Sequence, residues 1–574
     1  MTIDTLDTDI LILGAGGAGL FAALHAKQAN PDLDVTIAVK GLLGKCGCTR
    51  MVQGGYNVAL APGDSIERHF MDTIEGGGWL NDQDLAWLLV TTAPVRIREL
   101  ENSLGCFFDR NPDGTVHQKA FAGQTFDRTV HKGDLTGIEI INRLAEQVWR
   151  RDVRRLEDHR ALDFIPAADG SGLAGVLMLD MRTGEPKLVR AHATLLATGG
   201  GPTMYRYHTP SGDKSCDGMA MALRAGLPLR DMEMVQFHPT GLLAGPGTRM
   251  TGTVLEEGLR GSGGYLTDAT GERFMFAYDP RGERATRDIV SRSIQDRIRK
   301  GFASPNGGVY IEMGHLGPER VRREFKGMVE RCADCGFDLA AGRVEVVPTA
   351  HYMMGGVPFK PDCTTALPRL YAAGEDTGGV HGANRLGGNG VANSTVFGGL
   401  AGDTMGAHVR RGALPNADKT MLDAATERAM TPLGRKGGDL ESIRKRLYDT
   451  MWDDVGILRT AESLARGRAT LDVLWREIQA AGVPDPEPRY NLTWMDRLNL
   501  ESLILTSRAI CAAAETRTDS HGAHFREDFP QTSDLAASRY TLVRLADDRF
   551  AVTTEPVAFT RVRPGESLLS EAAE

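Results

Sequence analysis

The sequence predicts an α/β fold: a mostly parallel sheet, interrupted by an inserted domain and followed by a helical domain. Three observations predict it. An apolar run ends in a GxGxxG turn that opens a helix-forming stretch. Two further apolar runs, far apart in the chain, also end in glycine. Beyond residue 416 the pattern becomes helical and charged.

Residues 9–13, Asp-Ile-Leu-Ile-Leu, read as a buried parallel strand, because a strand covered on both faces needs no polar alternation. Gly14, Gly16 and Gly19 follow, then an Ala-rich stretch over 20–28 and a second strand over 35–39. Strand, glycine turn, helix and strand make a Rossmann-like βαβ unit. The glycines let backbone approach a pyrophosphate, and the helix N-terminus stabilises its charge. The bland alternative is a tight turn without a ligand. The second strand runs into Lys40, where a plain NAD domain places an acid for the ribose. Residues 193–197 lead into Thr198-Gly199-Gly200-Gly201, and 370–373 into Gly374-Glu375. Strands ending in glycine on one layer predict one sheet feeding one crevice. The dinucleotide-binding domain is therefore discontinuous, with an insertion near 245–354. Residues 440–452 and 461–479 predict helices of a separate domain, and 540–544 a strand in a mixed tail.

Composition narrows the function classes. A length of 574 residues suits two to four domains, and 25% charged with 41% hydrophobic residues excludes bulk disorder. A net charge of -9, from 66 basic and 75 acidic residues, recommends no nucleic-acid partner. The acidic start lacks the basic region of a secretory signal, and no apolar run reaches the roughly 18 residues that span a bilayer. The expectation is a cytoplasmic protein with no transmembrane segment. Eight scattered cysteines do not read as a disulfide framework. Cys332 and Cys335 form a lone CxxC without a second pair at metal-site spacing, so they read as packing and no metal site is expected.

Longer motifs carry a resemblance. QGG at 53–55, ATGG at 197–200, DMEMVQFHPTG at 231–241, EGLRG at 257–261 and Arg287-Asp288 come first. TAHYMMGG at 349–356, AGE at 373–375, HGANRLG at 381–387 and GAHFRED at 522–528 follow. In this order, from Gly14 to about Pro530, they resemble the flavoprotein subunits of succinate dehydrogenase and fumarate reductase, with L-aspartate oxidase as a near relative. The resemblance implies a Rossmann-like FAD-binding domain in two parts (1–244 and 355–415), an α+β capping domain (245–354), a helical domain (416–530) and a C-terminal region (531–574). It implies FAD, held by Gly14, Ala15, Gly16, Gly19, Lys40, Cys48, Thr49, Gln53, Gly54, Gly55, Thr198, Gly199, Gly200, Asp217, Glu375 and Arg385. It implies redox chemistry on a small dicarboxylate or amino-dicarboxylate. No set of four cysteines has iron–sulfur spacing, so onward electron transfer through clusters would need a separate iron–sulfur subunit. Through such a partner the protein would sit at the inner face of a membrane. VAFTRVRP at 557–564 resembles the tail of the dehydrogenase and reductase flavoproteins more than that of L-aspartate oxidase.

Reducing a C=C bond between two carboxylates needs cations and donors at both carboxylates, a hydride on one carbon and a proton on the other. His238, His351 and Arg385 match the family's substrate-clamping positions, and Arg385 can grip a carboxylate with two parallel hydrogen bonds. Arg287 matches the proton donor in reduction and acceptor in oxidation. Arginine is a weak acid, but a carbanion beside a carboxylate is a stronger base still. Glu257 and Arg260, three apart, match a relay that returns the proton to Arg287. Asp288 is expected to orient that guanidinium. The alternative for this set is an ion-pair network that only fixes the capping domain.

Two departures from the family bear on function. Cys48 stands where many succinate dehydrogenases carry the flavin on a histidine, so the histidyl bond cannot form. Non-covalent FAD is the simplest reading, and a thioether from Cys48 or a redox pair with Cys46 are the alternatives. A non-covalent flavin fits fumarate-type reduction, or oxidation of an easier substrate such as an amino acid. Glu256 stands where the family has Thr, beside the substrate. Two like charges about 4 Å apart cost about 4 kcal/mol at an effective dielectric of 20. Glu256 is then protonated, turned away, or matched to a substrate with an amine, amide or heterocycle. Gly388 and Gly390, where the family tends to have Ser, are expected to alter flavin contacts. The function read here is FAD-dependent interconversion of saturated and unsaturated small dicarboxylates. L-aspartate oxidase-type chemistry, a related reaction on a non-C4 substrate, and a non-catalytic flavin-binding or assembly role are the rivals.

Overall fold

The computed structural model describes residues 3–245 and 247–569. Among them, the largest sheet has seven strands, with Asp4–Leu13 near its centre. Val35–Ala38 and Glu185–Leu196 flank this strand in parallel, and Val153–Leu156 extends the sheet beyond Val35–Ala38. Glu185–Leu196 is long enough to serve two further partners. Its first half pairs antiparallel with Leu173–Asp180, and its last residues pair in parallel with Leu370–Ala372. Leu13 lies opposite Leu196, and Leu196 opposite Ala372. The three glycine-ended strands therefore stop on one level, and their following loops meet at one edge, the place where open α/β sheets hold ligands.

Behind that edge the helices Gly17–Ala29 and Asn389–His408 pack backbone to backbone. Gly398, Gly402 and Gly406 recur every four residues on the contact face. A Cβ at Gly402 would stand 2.4 Å from the Ala22 carbonyl oxygen, so any larger residue would separate the helices. This packing fixes the turn after Leu13 and, through the start of the second helix, the Arg385 loop.

The segment 245–354 builds a second, antiparallel sheet together with the strand that precedes it, in the order Val235–Leu242, Arg343–Met353, Val309–Glu312, Tyr265–Thr267. Its apolar core includes Leu255, Leu266, Val290, Ile294 and Ile311, with the helix Arg287–Arg299 packed against it. The two longest strands carry the sheet down to the dinucleotide-binding domain, and a bulge between His238 and Gly241 redirects side chains at that end. Lys419–Met430, Leu440–Asp453, Ala461–Ala480 and the 25-residue Leu492–Thr516 form the helical region. The hairpin Arg539–Ala546 with Arg549–Pro556 joins Leu229–Arg230. Among the described residues, no helix is long and apolar enough to cross a membrane.

Candidate active site

The loops at the sheet edge and the lower end of the capping sheet enclose one cavity of about 710 Å3, within the range of cavities that hold cofactors. Gly14 takes φ +108, and a Cβ there would stand 2.1 Å from Ala197 O. Gly19 lies against Gly14 O, where a Cβ would approach to 1.9 Å, and so serves the turn from behind the wall. Ala15 and Gly16 face the cavity, and the helix that begins at Gly17 has no side-chain N-cap and no acid in its first turn. Gly17 N donates to Thr49 Oγ1 at 3.2 Å, and the remaining N–H groups of the first turn suit an anion. Thr49, Gly54, Gly55 and Thr198 continue the lining. Gly199 has nothing within 4 Å of a Cβ, and Gln53 Oε1 is buried without a hydrogen-bond partner. Open backbone, an uncapped helix and an orphaned polar atom fit a long polar dinucleotide such as FAD.

Lys40 Nζ bonds Asp217 Oδ2 at 2.8 Å and Ser215 Oγ at 3.0 Å, and Arg160 Nη2 holds the other Asp217 oxygen at 2.6 Å. Burial opposes the Asp217 charge, but Arg160 and Lys40 outweigh it and hold the carboxyl well below the usual range. An ionised carboxylate thus stands beside Lys40 after all, brought in at the start of the helix Asp217–Arg224. Glu375 Oε1 accepts from Met353 N at 3.1 Å and Gly201 N at 3.3 Å, and burial pushes its carboxyl up to about 7. Gly200 sits behind Glu375, with a Cβ position 2.8 Å from Oε1. Cys48 is half-buried and opens onto the cavity from the turn Cys48–Met51, where desolvation by the surrounding protein, aided by Glu375, pushes its thiol up to about 12. Cys46 and Cys48 are both free thiols.

At the other end, His238 and His351 face each other from adjacent strands with ring centres 5.4 Å apart. Burial, then Arg287, keeps both well below the usual histidine pKa, so both are neutral. His238 Nδ1 accepts from Thr240 N at 3.3 Å, which leaves the proton on Nε2 for donation. Thr209 Oγ1 lies 2.8 Å from His351 Nδ1. Arg385 lies over the Tyr352 ring at 4.3 Å, with Nε unpartnered; burial, then Arg287, lowers its pKa to about 10, which leaves it cationic at neutral pH. Gly390 makes room for it, since a Cβ would stand 3.1 Å from Nη1.

Arg287 is the first residue of its helix and forks onto Glu257 Oε2, with Nε at 3.0 Å and Nη2 at 2.5 Å. Arg260 Nη2 holds Glu257 Oε1 at 2.9 Å. Arg260 is fully buried behind Glu257 and lies outside the cavity lining. Burial opposes the Glu257 charge, but Arg287 and Arg260 hold the carboxyl below its usual range. Asp288 does not orient Arg287: its Oδ1 is buried without a partner, because consecutive helix residues point to different sides.

Glu256 is neither alone nor turned away. It lines the cavity, and its Oε2 accepts from Lys119 Nζ at 2.8 Å. Lys119 was invisible as its partner in the sequence, because 137 residues separate them. Gln236 is the other residue that sequence reading passed over. Its Oε1 accepts from Arg287 Nη1 at 2.9 Å and Arg385 Nη2 at 3.1 Å, which binds the two guanidiniums into one unit. A signal existed, since Gln236 precedes His238 by two residues on one strand.

Residues 9–391 match a family described as an FAD binding domain, and 444–568 one described as the fumarate reductase flavoprotein C-term. One subunit of the fumarate reductase (CoM/CoB) of Methanothermobacter marburgensis is 40% identical over 93% of this chain and 96% of its own length. The fumarate reductase flavoprotein subunit of Escherichia coli is 33% identical over 100% of this chain and 98% of its own. A solved chain of Escherichia coli quinol fumarate reductase covers 98% of this chain and 99% of its own at 32% identity, with a TM-score of 0.91. Adenylylsulfate reductase from Archaeoglobus fulgidus, at 17% identity and a TM-score of 0.78, shares the fold alone. With the dinucleotide cradle at one end of the cavity and the arginine–histidine cluster at the other, the chain belongs to the fumarate reductase/succinate dehydrogenase flavoprotein family and is an FAD-dependent oxidoreductase acting on CH–CH bonds.

Proposed function

We propose that this chain interconverts fumarate and succinate, working as a fumarate reductase with FAD held non-covalently. The observation that carries the reading is Glu257: one buried carboxylate joins Arg287, at the cavity, to Arg260 behind it. FAD, when bound and reduced, supplies a hydride to one alkene carbon. Arg385 and the neutral His351 clamp one carboxylate, and His238 donates through Nε2 to the other. This pull makes the alkene electrophilic and would stabilise the negative charge that hydride addition at the first carbon leaves on the second, which is the basic carbon. Arg287 then gives a proton to that carbon, and Glu257 and Arg260 return one to it. The fork from Glu257 fixes the guanidinium in place, and general acid catalysis of this kind contributes about 10²–10⁴-fold.

Cys48 supports the non-covalent reading, because a thiol pushed up to about 12 holds little of the nucleophilic thiolate. Lys119 supports a dicarboxylate over an amino acid, because the Glu256 carboxylate already has an ammonium partner. The similar proteins are named as subunits, which supports a separate electron-carrying partner; an iron–sulfur protein is the class the resemblance implies. The test is anaerobic flavin absorbance of the purified protein. Succinate should bleach it partly, and fumarate should reoxidise the pre-reduced protein, with Arg287→Ala blocking both while flavin stays bound. Bleaching by L-aspartate, or fumarate turnover that survives Arg287→Ala, would overturn the assignment.

A further inference from the structure

We propose that Lys119 and Glu256 work as one unit across the domain boundary, and that Lys119 is the residue that lets this cavity accept a dianion. The inference rests on the dicarboxylate reading above. Glu256 lines the cavity from the insertion, one residue before the Glu257 that holds Arg287. Its side chain is only 4% exposed, so water screens it poorly. An unpaired carboxylate there would repel the nearest carboxylate of a bound dianion.

Lys119 removes that charge from the other side of the boundary. It lies on the short strand Gln118–Lys119, paired with Thr129–Val130, and so belongs to the element that also positions Tyr56–Asn57. Its side chain is 17% exposed. Its ammonium has Glu256 Oε2 at 2.8 Å, Gly133 O at 3.4 Å and the Phe121 ring at 5.9 Å. Phe121 also lines the cavity. Among the described residues, Glu256 is the carboxylate within ion-pair range of that ammonium, so the pair is matched one to one. Two consequences follow. The pair presents no net charge to the substrate, which leaves the arginines of the lining, Arg287, Arg331 and Arg385, to set the preference for a dianion. It also ties the strand Gln118–Lys119 to the segment that carries Glu256 and Glu257, beside the reacting groups.

The test compares the holoenzymes of the wild type, Lys119→Met, Glu256→Gln and the double variant Lys119→Met/Glu256→Gln. Fumarate binding is read by perturbation of the flavin absorbance, and KM and kcat by turnover. Lys119→Met should weaken fumarate binding and raise KM on the order of tenfold or more, as an uncovered charge near 4 Å requires. The double variant should return both toward the wild type, because no charge is then left to compensate. L-Aspartate should gain affinity relative to fumarate in Lys119→Met alone, since Glu256 becomes free to meet an ammonium. Equal fumarate binding in wild type and Lys119→Met would overturn the proposal while leaving the proposed function intact. So would a double variant as impaired as Lys119→Met, because the loss would then be structural. A wild-type holoenzyme that binds no dicarboxylate would refute both.

Discussion

Replacing Gln236 by Leu tests whether the two cavity guanidiniums act as one unit. Leu is close in size, so the change removes hydrogen bonds and little packing. Gln236 is fully buried, and its Oε1 accepts from Arg287 Nη1 and Arg385 Nη2. Hydrogen bonds to charged groups contribute about 1.5–3 kcal/mol each. Arg287 keeps its fork on Glu257 and Arg385 keeps its contact with Tyr352, so the expected loss is nearer one such bond, about 3 kcal/mol, than two. At about 1.4 kcal/mol per factor of ten, this is about a hundredfold in kcat/KM. The split between parameters carries the information. Misplacing Arg287, the proton donor, lowers kcat, and misplacing Arg385, the clamp, raises KM. Both should move. The same change leaves Asn384 Oδ1 and Arg385 O without the donor they have at 2.8 and 2.6 Å, at about 1–3 kcal/mol of stability, so a melting curve must accompany the kinetics. Steady-state fumarate reduction with a reduced dye, on protein with full flavin content, is the assay. A folded variant with both parameters within about twofold of the wild type would refute the shared-acceptor reasoning. Gln236→Glu is not a gentler substitute, because it would turn a carboxylate oxygen toward Arg385 O, which now accepts from Gln236 Nε2.

Flavin attachment is the simplest of the remaining predictions: acid precipitation should release all the flavin, and yellow colour that stays in the pellet but is lost in Cys48→Ala would show a thioether. A pH dependence of stability should come from His25, which bonds Asp403 Oδ1 at 2.8 Å and Glu99 Oε1 at 3.0 Å between the helices Gly17–Ala29, Gln83–Asn102 and Asn389–His408. Burial and the nearby Arg96 oppose the His25 charge, but the two carboxylates win and raise its pKa in the folded state. Its stabilisation is therefore complete below the unfolded value of about 6.5 and fades as pH rises through the folded one. The melting temperature of the wild type should fall relative to His25→Gln as pH rises above about 6.5, and parallel curves for the two would reject the assignment.

Much of this protein was determined by local sequence alone. The run over residues 9–13 and the turn at Gly14, Gly16 and Gly19 specify a buried strand and an uncapped helix start, because both depend on a few neighbouring residues: apolar side chains for burial on two faces, and missing Cβ atoms for close backbone approach. The glycine-ended strands at 193–197 and 370–373 could be assigned to the same layer for the same reason. The motifs around His238, Glu257, Arg287, His351 and Arg385 made the chemistry legible, since each carries its residue type in a recognisable stretch. What the tertiary structure alone decided is who neutralises whom. Glu256 looked like an obstacle to a dianion until Lys119 arrived from 137 residues away, and Asp288 looked like the residue that orients Arg287 until Gln236 joined the Glu257 that the motifs had already offered. Lys40 looked like a missing acid until Asp217 came in from another helix. In each case the decisive partner lies far off in the chain and acts over about 3 Å. Sequence spacing fixes which residues share a strand or a helix face, whereas the charge that a buried group carries depends on partners that only folding brings within that distance.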